Sequence, residues 1–187
     1  MSNLASLLRR TALMLVAGAA IATPVVANAS LTDGLSVRAG FFMPSTAGTR
    51  AVTDVGAFGV GLEYKVGWVP QVFNGEHWST SVSADFHYSG RNSGVLRYIP
   101  VMINQVYTFE EIDGHSAYAG FSIGATTFGV NGAGALRQPT VTRVAGGLIL
   151  GVNLNKSFYL EGRYEWVDKS GTSYDVQGLR GYVGYRF

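Results

Sequence analysis

The strongest constraint in this sequence is an alternation of apolar and polar residues with a period of two. In the stretch "FYLEGRYEWVD", the charged residues Glu161, Arg163 and Glu165 occupy alternate positions. Side chains of a β-strand point alternately to opposite faces, so the stretch predicts a strand with one charged face. Three charges on one face cannot enter an ordinary apolar core without a severe desolvation penalty. The opposite face consists of Phe158, Leu160, Gly162, Tyr164 and Trp166.

The same alternation recurs along the chain after residue 30, where no sustained apolar repeat of 3.6 residues is found. In "HWSTSVSADFHYS", Trp78, Val82 and Phe86 share one face, and Asp85 and His87 share the other. We therefore predict an all-β protein. The eight predicted strands lie at about 33–43, 55–67, 77–89, 94–108, 115–129, 140–154, 157–168 and 174–187.

Alternation alone fits two architectures, a soluble barrel with its apolar face inward or a transmembrane barrel with its apolar face outward. The predicted strands are longer than the five or six residues that are usual in globular proteins, and they reach the length of about 9–11 residues that a tilted transmembrane strand needs. An even number of strands also returns both termini to one side, as in bacterial outer-membrane barrels. A soluble lipocalin-like barrel remains the alternative.

Aromatic residues and glycines favour the transmembrane form. Aromatic side chains near strand ends match the girdles at membrane interfaces, and glycines on the polar face suit a narrow, sharply bent interior. The aromatic residues are Trp78, Tyr88, Phe158, Trp166, Tyr185 and Phe187. The glycines are Gly59, Gly61, Gly120, Gly124, Gly147, Gly151, Gly178 and Gly184. We predict an eight-stranded antiparallel up-and-down transmembrane β-barrel.

The first residues have the order of parts of a secretory signal peptide. A basic segment with Arg9 and Arg10 precedes an apolar run, and Ala27 and Ala29 form a small-residue cleavage site before Ser30. We predict a cleaved leader at 1–29 and a barrel domain at 30–187. The apolar run is short for a membrane-spanning helix, and Pro24 interrupts its continuation.

Charge and cysteine content exclude some functions. The chain has 14 Lys+Arg and 12 Asp+Glu, and the leader holds two of the arginines, which leaves 12 of each sign. No basic surface that would bind nucleic acid is expected. Without cysteine, disulfides and thiolate metal sites are unavailable. The histidines His77, His87 and His115 are scattered, so no metal site is predicted.

The C-terminal stretch "RGYVGYRF" alternates up to its last residue, with Val183, Tyr185 and Phe187 on the predicted lipid face. The last strand must pair with the first, because an open strand edge is not tolerated in lipid. The stretch resembles the C-terminal assembly signal of outer-membrane β-barrel proteins. It departs from that signal at Tyr182, where the family pattern favours glycine.

The predicted mature chain as a whole resembles the small OmpA/OmpX-type outer-membrane barrels. The resemblance implies an integral outer-membrane protein of a Gram-negative bacterium with a role in envelope integrity or in surface interactions through its outer loops. It also implies contact with outer-membrane lipid, lipopolysaccharide, the barrel-assembly machinery and periplasmic chaperones. We expect a monomer with no cofactor. The outer loops would lie at about 44–54, 89–94, 130–139 and 168–174.

The predicted interior is charged. Acids and bases on the polar faces are expected to pair across a lumen that is barely wide enough for side chains, which favours an ion-pair plug over a small channel for ions or hydrophobic solutes. The predicted interior residues are Arg38, Glu63, Lys65, Asp85, His87, Arg143, Glu161, Arg163, Glu165, Arg180 and Arg186.

One stretch, "FHYSGRNSG", suggests the alternative that the protein is an enzyme. Asp85, His87 and Ser89 share a face at successive alternate positions, and the His-x-Ser element resembles that of outer-membrane lipid A deacylases. The deacylase element lies in the strand before the last and faces lipid, whereas His87 and Ser89 are predicted to face the lumen. Alternate positions on a strand are also about 6.5–7 Å apart, too far for direct proton transfer. We therefore predict no enzymatic activity.

Overall fold

Eight antiparallel strands close into a barrel in chain order in the computed structural model. The structure describes residues 33–53, 56–66, 72–73, 75–91, 94–132, 138–169 and 174–187. The predicted leader with Ala27, Ala29 and Ser30 lies outside them. The strands are β1 (Leu35–Pro44), β2 (Ala57–Lys65), β3 (Trp78–Arg91), β4 (Gly94–Thr108), β5 (Ser116–Gly132), β6 (Gln138–Asn153), β7 (Phe158–Val167) and β8 (Gly178–Arg186), and one helix, α1 (Ala47–Thr53), follows β1.

The barrel closes where β1 pairs with β8, and Arg38 lies opposite Gly184 in that register. The main-chain N–H of the last residue, Phe187, donates to the carbonyl of Leu35 at 3.1 Å. Every strand pairs antiparallel with its neighbours in sequence. The predicted all-β class, the strand count and the up-and-down order are confirmed.

The two faces of the barrel wall have opposite chemistry. Outward side chains on β6 are apolar and exposed, with Leu148 at 54% and Val144 at 67% of their full accessibility. The inward Arg163 on β7 is 1% accessible. Exposure therefore alternates along the strands with the charges inside, which is the inverse of the arrangement in a soluble barrel.

The observed strand bounds correct the sequence prediction at several ends. The eighth strand begins at Gly178, not at 174, because the chain before it is bonded elsewhere: the carbonyl of Asp175 accepts hydrogen bonds from Thr46 Oγ1 (2.9 Å) and Thr49 Oγ1 (2.6 Å). The fifth strand continues to Gly132 and the sixth begins at Gln138, so the loop between them is shorter than predicted. Positions 55 and 67, the predicted limits of the second strand, lie outside the described residues.

Helix α1 was not predicted, since 44–54 was expected to be an outer loop. The carbonyl of Thr46 accepts a hydrogen bond from Arg50 N at 3.1 Å, which is the first turn of the helix and makes Thr46 its N-cap. The helix spans only Ala47–Thr53, too short to show a helical apolar period in sequence. No helix within the described residues is long and apolar enough to cross a membrane.

The connections divide the barrel into two ends. The terminal end carries both strand termini near Leu35 and Arg186, and the loop end carries α1 and the connection from β7 to β8. The β3–β4 hairpin at the loop end is tight, with Arg91 paired to Gly94. The connection from β2 to β3 at the terminal end is long, and part of it folds over the outer face of the barrel.

That fold-back is fixed by one outward-facing polar residue, Gln105. Its Oε1 accepts a hydrogen bond from Val72 N at 3.1 Å, and its Nε2 donates to the carbonyl of Phe73 at 2.8 Å. The Phe73 ring stacks on Trp78 (centroids 4.8 Å apart) and meets Phe121 edge-on (6.2 Å). Gln105 is consequently buried on a face where its neighbours are exposed.

Candidate functional site

The interior of the barrel at mid-height holds a layer of ion pairs centred on Arg38. Its Nε and Nη2 donate to the two carboxylate oxygens of Asp85, at 2.7 and 2.8 Å. Its Nη1 donates to Glu63 at 2.6 Å and to Glu161 at 3.2 Å. Because all five donors of a guanidinium lie in one plane, one arginine can join three strands across the lumen.

Arg163 closes this arrangement into a ring. It donates to Glu161 Oε1 at 2.5 Å and to Glu63 Oε2 at 2.7 Å, the same two acids that Arg38 contacts. Its Nη1 also donates to Asn104 Oδ1 at 3.0 Å. Two cations and two anions therefore alternate around a closed cycle of charge-assisted hydrogen bonds.

A second group surrounds Arg180. It forms an ion pair with Glu165 and lies 3.4 Å from Asp85. Glu165 also accepts hydrogen bonds from Tyr98 and from Thr126 Oγ1 (2.7 Å). We call the seven charged residues of both groups the ionic layer: Arg38, Glu63, Asp85, Glu161, Arg163, Glu165 and Arg180.

Aromatic rings fill the space between these charges because interior glycines leave room for them. An ideal Cβ at Gly40 would lie 2.4 Å from the Tyr182 ring, and one at Gly184 would lie 2.0 Å from the Tyr159 ring. The guanidinium of Arg38 sits 4.6 Å from the centroid of Tyr182. The departure of the C-terminal stretch from the family pattern at Tyr182 thus places a ring against Gly40 and Arg38.

Towards the loop end the interior becomes apolar. Phe42 stacks on Tyr98 with 4.7 Å between centroids, and Leu96 and Phe128 are fully buried beside them. We call this group the apolar layer, and its buried members are Phe42, Ala57, Leu96, Tyr98, Met102, Phe128, Val130, Ala145, Val167, Tyr174 and Val176.

Two connections cover the apolar layer at the loop end. Thr49 of α1 is fully buried, and Tyr174 and Val176 of the connection from β7 to β8 are also buried. The hydroxyls of Thr46 and Thr49 bind the carbonyl of Asp175, which joins the two connections. Burial raises the pKa of the Tyr174 phenol, so that hydroxyl stays neutral.

The predicted interior residues do not all enter the ionic layer. Lys65 is exposed at the terminal end of β2, and Arg143 is half-buried and donates to the carbonyl of Thr142 at 3.0 Å. Both have the correct parity, but Lys65 is the last residue of β2, and Arg143 lies on the loop-end side of Ala145, which belongs to the apolar layer. Arg186 donates to Asn153 Oδ1 at 2.6 Å and lies 4.6 Å from the Tyr159 ring.

The residues of the enzymatic alternative are occupied by other partners. Asp85 binds Arg38 and Arg180. Nε2 of the fully buried His87 lies 3.1 Å from Tyr182 Oη. Ser89 follows on the same strand and is half-buried. This geometry builds an interior hydrogen-bond network around His87 and gives it no access to a lipid on the outer face.

Several interior residues were missed by sequence reasoning, among them Tyr98, Asn104 and Thr126. Tyr98 and Asn104 lie on the inward face of β4 together with Met102, so strand parity could have located them. Within the described ranges, no group of three or more acidic or histidine side chains is placed to hold a metal ion.

The C-terminal residues lie on the outer face at the terminal end. Val183, Tyr185 and Phe187 are exposed, and the rings of Tyr185 and Phe187 meet edge-on with centroids 5.1 Å apart. Phe158 contacts Tyr185 in the same way at 5.2 Å. The aromatic end of the chain thus belongs to a cluster of rings at one rim of the barrel.

Taken together, an apolar outside, a charged inside and a closed eight-stranded wall define the class of small outer-membrane barrels. The crystal structure of Neisserial surface protein A is similar over 82% of this chain and 96% of that chain, with 12% identity and a TM-score of 0.53. The crystal structure of the outer membrane enzyme PagL is similar over 81% of this chain and 98% of that chain, with 12% identity and a TM-score of 0.55.

A third solved structure, the attachment invasion locus protein Ail of Yersinia pestis, matches 83% of this chain and 99% of that chain, with 20% identity and a TM-score of 0.50. Neither a protein-family model nor a curated relative matches the sequence. At these identities the likeness establishes the fold: the chain has the fold of the small eight-stranded outer-membrane barrels.

Proposed function

We propose that the protein is an integral outer-membrane barrel with a sealed interior, which acts by holding its outer loops at the cell surface. The observation that carries this proposal is the combination of an exposed apolar outer face with two packed interior layers. Exposed side chains such as Leu148 and Val144 suit contact with hydrocarbon, whereas Arg163 inside is 1% accessible.

A sealed lumen is favoured over a channel because both interior layers are filled. The ionic layer joins β1, β2, β3, β7 and β8 through Arg38, Arg163 and Arg180. An ion that crossed the barrel would have to break these pairs and then pass the apolar layer under α1. Dehydrating an ion in such an apolar constriction is strongly unfavourable.

Recordings in planar bilayers test this part of the proposal. We expect no steady conductance from the wild-type protein, and we expect heat-modifiable migration of the membrane-extracted protein in SDS gels as the sign that a folded barrel was inserted. Steady nanosiemens conductance from a folded, inserted sample would overturn the sealed interior and would support the channel alternative.

The role at the surface is the finer part of the proposal. Two proteins with this fold have names that suggest such a role, Neisserial surface protein A and the attachment invasion locus protein Ail. The contacts of His87 and Asp85 inside the barrel argue against the enzymatic alternative, although PagL, which shares the fold, is an outer membrane enzyme. Envelope integrity and surface interaction are the two roles that we propose.

A loop-exchange experiment separates these two roles. Cells lacking the protein are complemented with the wild-type chain or with a barrel whose α1 and β7–β8 connections are replaced by short turns. If adhesion needs the native loops while detergent resistance does not change, the surface role holds. If the barrel with these two connections shortened restores everything that the wild type restores, the two connections have no such role and the proposal fails.

A further inference from the structure

The charged side chains outside the ionic layer are divided unequally between the two ends of the barrel. Among the described residues, the loop end has two acids and five bases, which are Arg50, Arg91, Arg97, Arg143 and Lys169. The terminal end has three bases and five acids, which are Asp33, Glu76, Glu110, Glu111 and Asp113. The loop end therefore attracts anions, and the terminal end does not.

The excess of positive charge lies on one side of the loop end. Both acids of this end, Asp168 and Asp175, lie in the connection that follows β7, and Asp175 is paired there with a lysine. Arg50, Arg91 and Arg97 lie in α1 and the β3–β4 hairpin, and α1 packs against β3 and β4. Of the residues that the structure describes in α1 and, beyond the ionic layer, in β3, β4 and β5, these three arginines are the charged ones.

Arg97 is the arginine of this group that lies on the outer wall. It is exposed, and the register places it between Tyr88 of β3 and Gly129 of β5. Ile99 and Val101 follow on the same face of β4 and are exposed at 36% and 48%. A cation therefore stands at the end of an apolar stripe, which is the arrangement that an amphiphile with an anionic head group needs.

Threonine hydroxyls lie beside Arg97 on the outer wall. A Cβ added at Gly129 would lie 2.8 Å from Thr140 Oγ1, so that hydroxyl lies over the glycine next to Arg97. In the adjoining row, the hydroxyls of Thr127 and Thr142 share an exposed hydrogen bond of 2.9 Å. The wall thus changes at this level from hydrocarbon to hydrogen-bonding groups, as it should where acyl chains meet head groups.

We propose that Arg97 binds a phosphate group of lipid A, the lipid anchor of lipopolysaccharide, with acyl chains along Ile99 and Val101. The inference rests on the proposed function, in which the loop end lies at the cell surface and this wall meets lipid. A guanidinium can donate two parallel hydrogen bonds to one phosphate. The monoester phosphates of lipid A carry more negative charge than the diester of a phospholipid, so they gain most from a side of the barrel with three arginines.

The test measures lipid binding by native mass spectrometry of the folded protein in detergent micelles. Lipid A is titrated in, and the fraction of protein that carries one lipid is recorded. Dephosphorylated lipid A keeps the acyl chains without the phosphates, and phosphatidylglycerol supplies a phosphate diester. Arg97→Gln is compared with Lys156→Gln, a matched loss of one exposed positive charge in the β6–β7 turn at the terminal end. Heat-modifiable migration confirms that each variant is folded.

We expect the parent and Lys156→Gln to bind lipid A at about a fivefold lower concentration than Arg97→Gln, the size expected for one cation at an anionic lipid surface. Equal binding by the two variants would overturn the site while leaving the membrane location intact. A difference that persists with dephosphorylated lipid A would show that Arg97 does not act on phosphate. An equally large difference with phosphatidylglycerol would overturn the choice of lipid A. A protein that stays monodisperse without detergent would instead contradict the proposed function.

Discussion

The ionic layer and the apolar layer occupy the same lumen, yet they are stabilised by different physics. The ionic layer depends on pairs of opposite charges: the single side chain of Arg38 bonds Asp85, Glu63 and Glu161. The apolar layer depends on close packing of rings and aliphatic groups, such as Phe42 on Tyr98. Residues of the same strand parity thus supply two kinds of interior, and the two should respond differently to mutation.

Because the two layers are stabilised differently, substitutions in them should lower the stability of the barrel for different reasons. Removing one charged side chain from the ionic layer leaves its partner charge buried and unpaired. Truncating a side chain of the apolar layer leaves only a cavity. Tyr98 of the apolar layer contacts both layers, because its ring stacks on Phe42 and its hydroxyl donates to Glu165. Substitutions in each layer and at this junction can sharpen or break the comparison.

The largest effect is expected for Arg38→Met. Removing the guanidinium leaves Asp85, Glu63 and Glu161 without their common partner, and breaking a buried pair in this way typically lowers the free energy of unfolding by about 3–5 kcal/mol. Urea titration of the protein in lipid vesicles measures the loss. Lys65→Met is the matched control, because Lys65 is exposed, and it should change stability by less than about 0.5 kcal/mol. Equal effects of the two variants would contradict a cooperative ionic layer.

A smaller loss is expected for Leu96→Ala in the apolar layer. Leu96 is fully buried, and truncation to alanine leaves a cavity that should lower the free energy of unfolding by about 3 kcal/mol. The same urea titration applies. Leu150→Ala, on the exposed outer face of β6, is the control and should have a much smaller effect in lipid. If Leu150→Ala were the more destabilising variant, the assignment of inside and outside would be wrong.

The next effect concerns the fit of rings against interior glycines. Gly40→Val places side-chain atoms where the Tyr182 ring and the carbonyl of Gly181 now lie, and such overpacking should lower the free energy of unfolding by about 2 kcal/mol. Gly181→Val is matched, since it pairs with Phe41 on the adjoining strand and its Cβ would meet open space. Near-equal stabilities of the two variants would show that the ring of Tyr182 does not need Gly40.

The smallest effect is expected at the junction, for Tyr98→Phe. The ring contact with Phe42 is kept, and only the hydrogen bond to the charged Glu165 is lost, so the free energy of unfolding should fall by about 1.5 kcal/mol. Combining this change with Arg180→Met should give less than the sum of the two single effects, because both act on Glu165. Strict additivity in a double-mutant cycle would argue against a shared network.

Much of this architecture could be predicted from the sequence, because strand parity is a local property. The alternation at Glu161, Arg163 and Glu165 placed these charges on one face, and the structure has them buried inside. Strand parity does not indicate how deep in the barrel a side chain lies, so it grouped Lys65 and Arg143 with residues at mid-height. Depth inside the barrel depends on strand tilt and on neighbours from distant parts of the chain.

Two further features depend on contacts that local patterns do not contain. Helix α1 is fixed by hydrogen bonds from Thr46 and Thr49 to the carbonyl of Asp175, more than a hundred residues away in sequence. The fold-back at Val72 is fixed by Gln105. A polar residue between Ile103 and Tyr107 on the outward face of β4 was one sign that something covers Gln105, and the length of the connection from β2 to β3 was the second.

The measurement that tests the central claim most directly is the accessibility of spin labels on the outer face. The chain has no cysteine, so single cysteines at Leu148, Leu160 and Val183 can each carry one label, with Lys65 as a reference at the rim. In lipid vesicles, the three outward labels should be relaxed by oxygen and shielded from a water-soluble nickel complex, and the label at Lys65 should show the reverse. Labels at Leu148, Leu160 and Val183 that are relaxed by nickel as strongly as the one at Lys65 would contradict a lipid-facing outer surface.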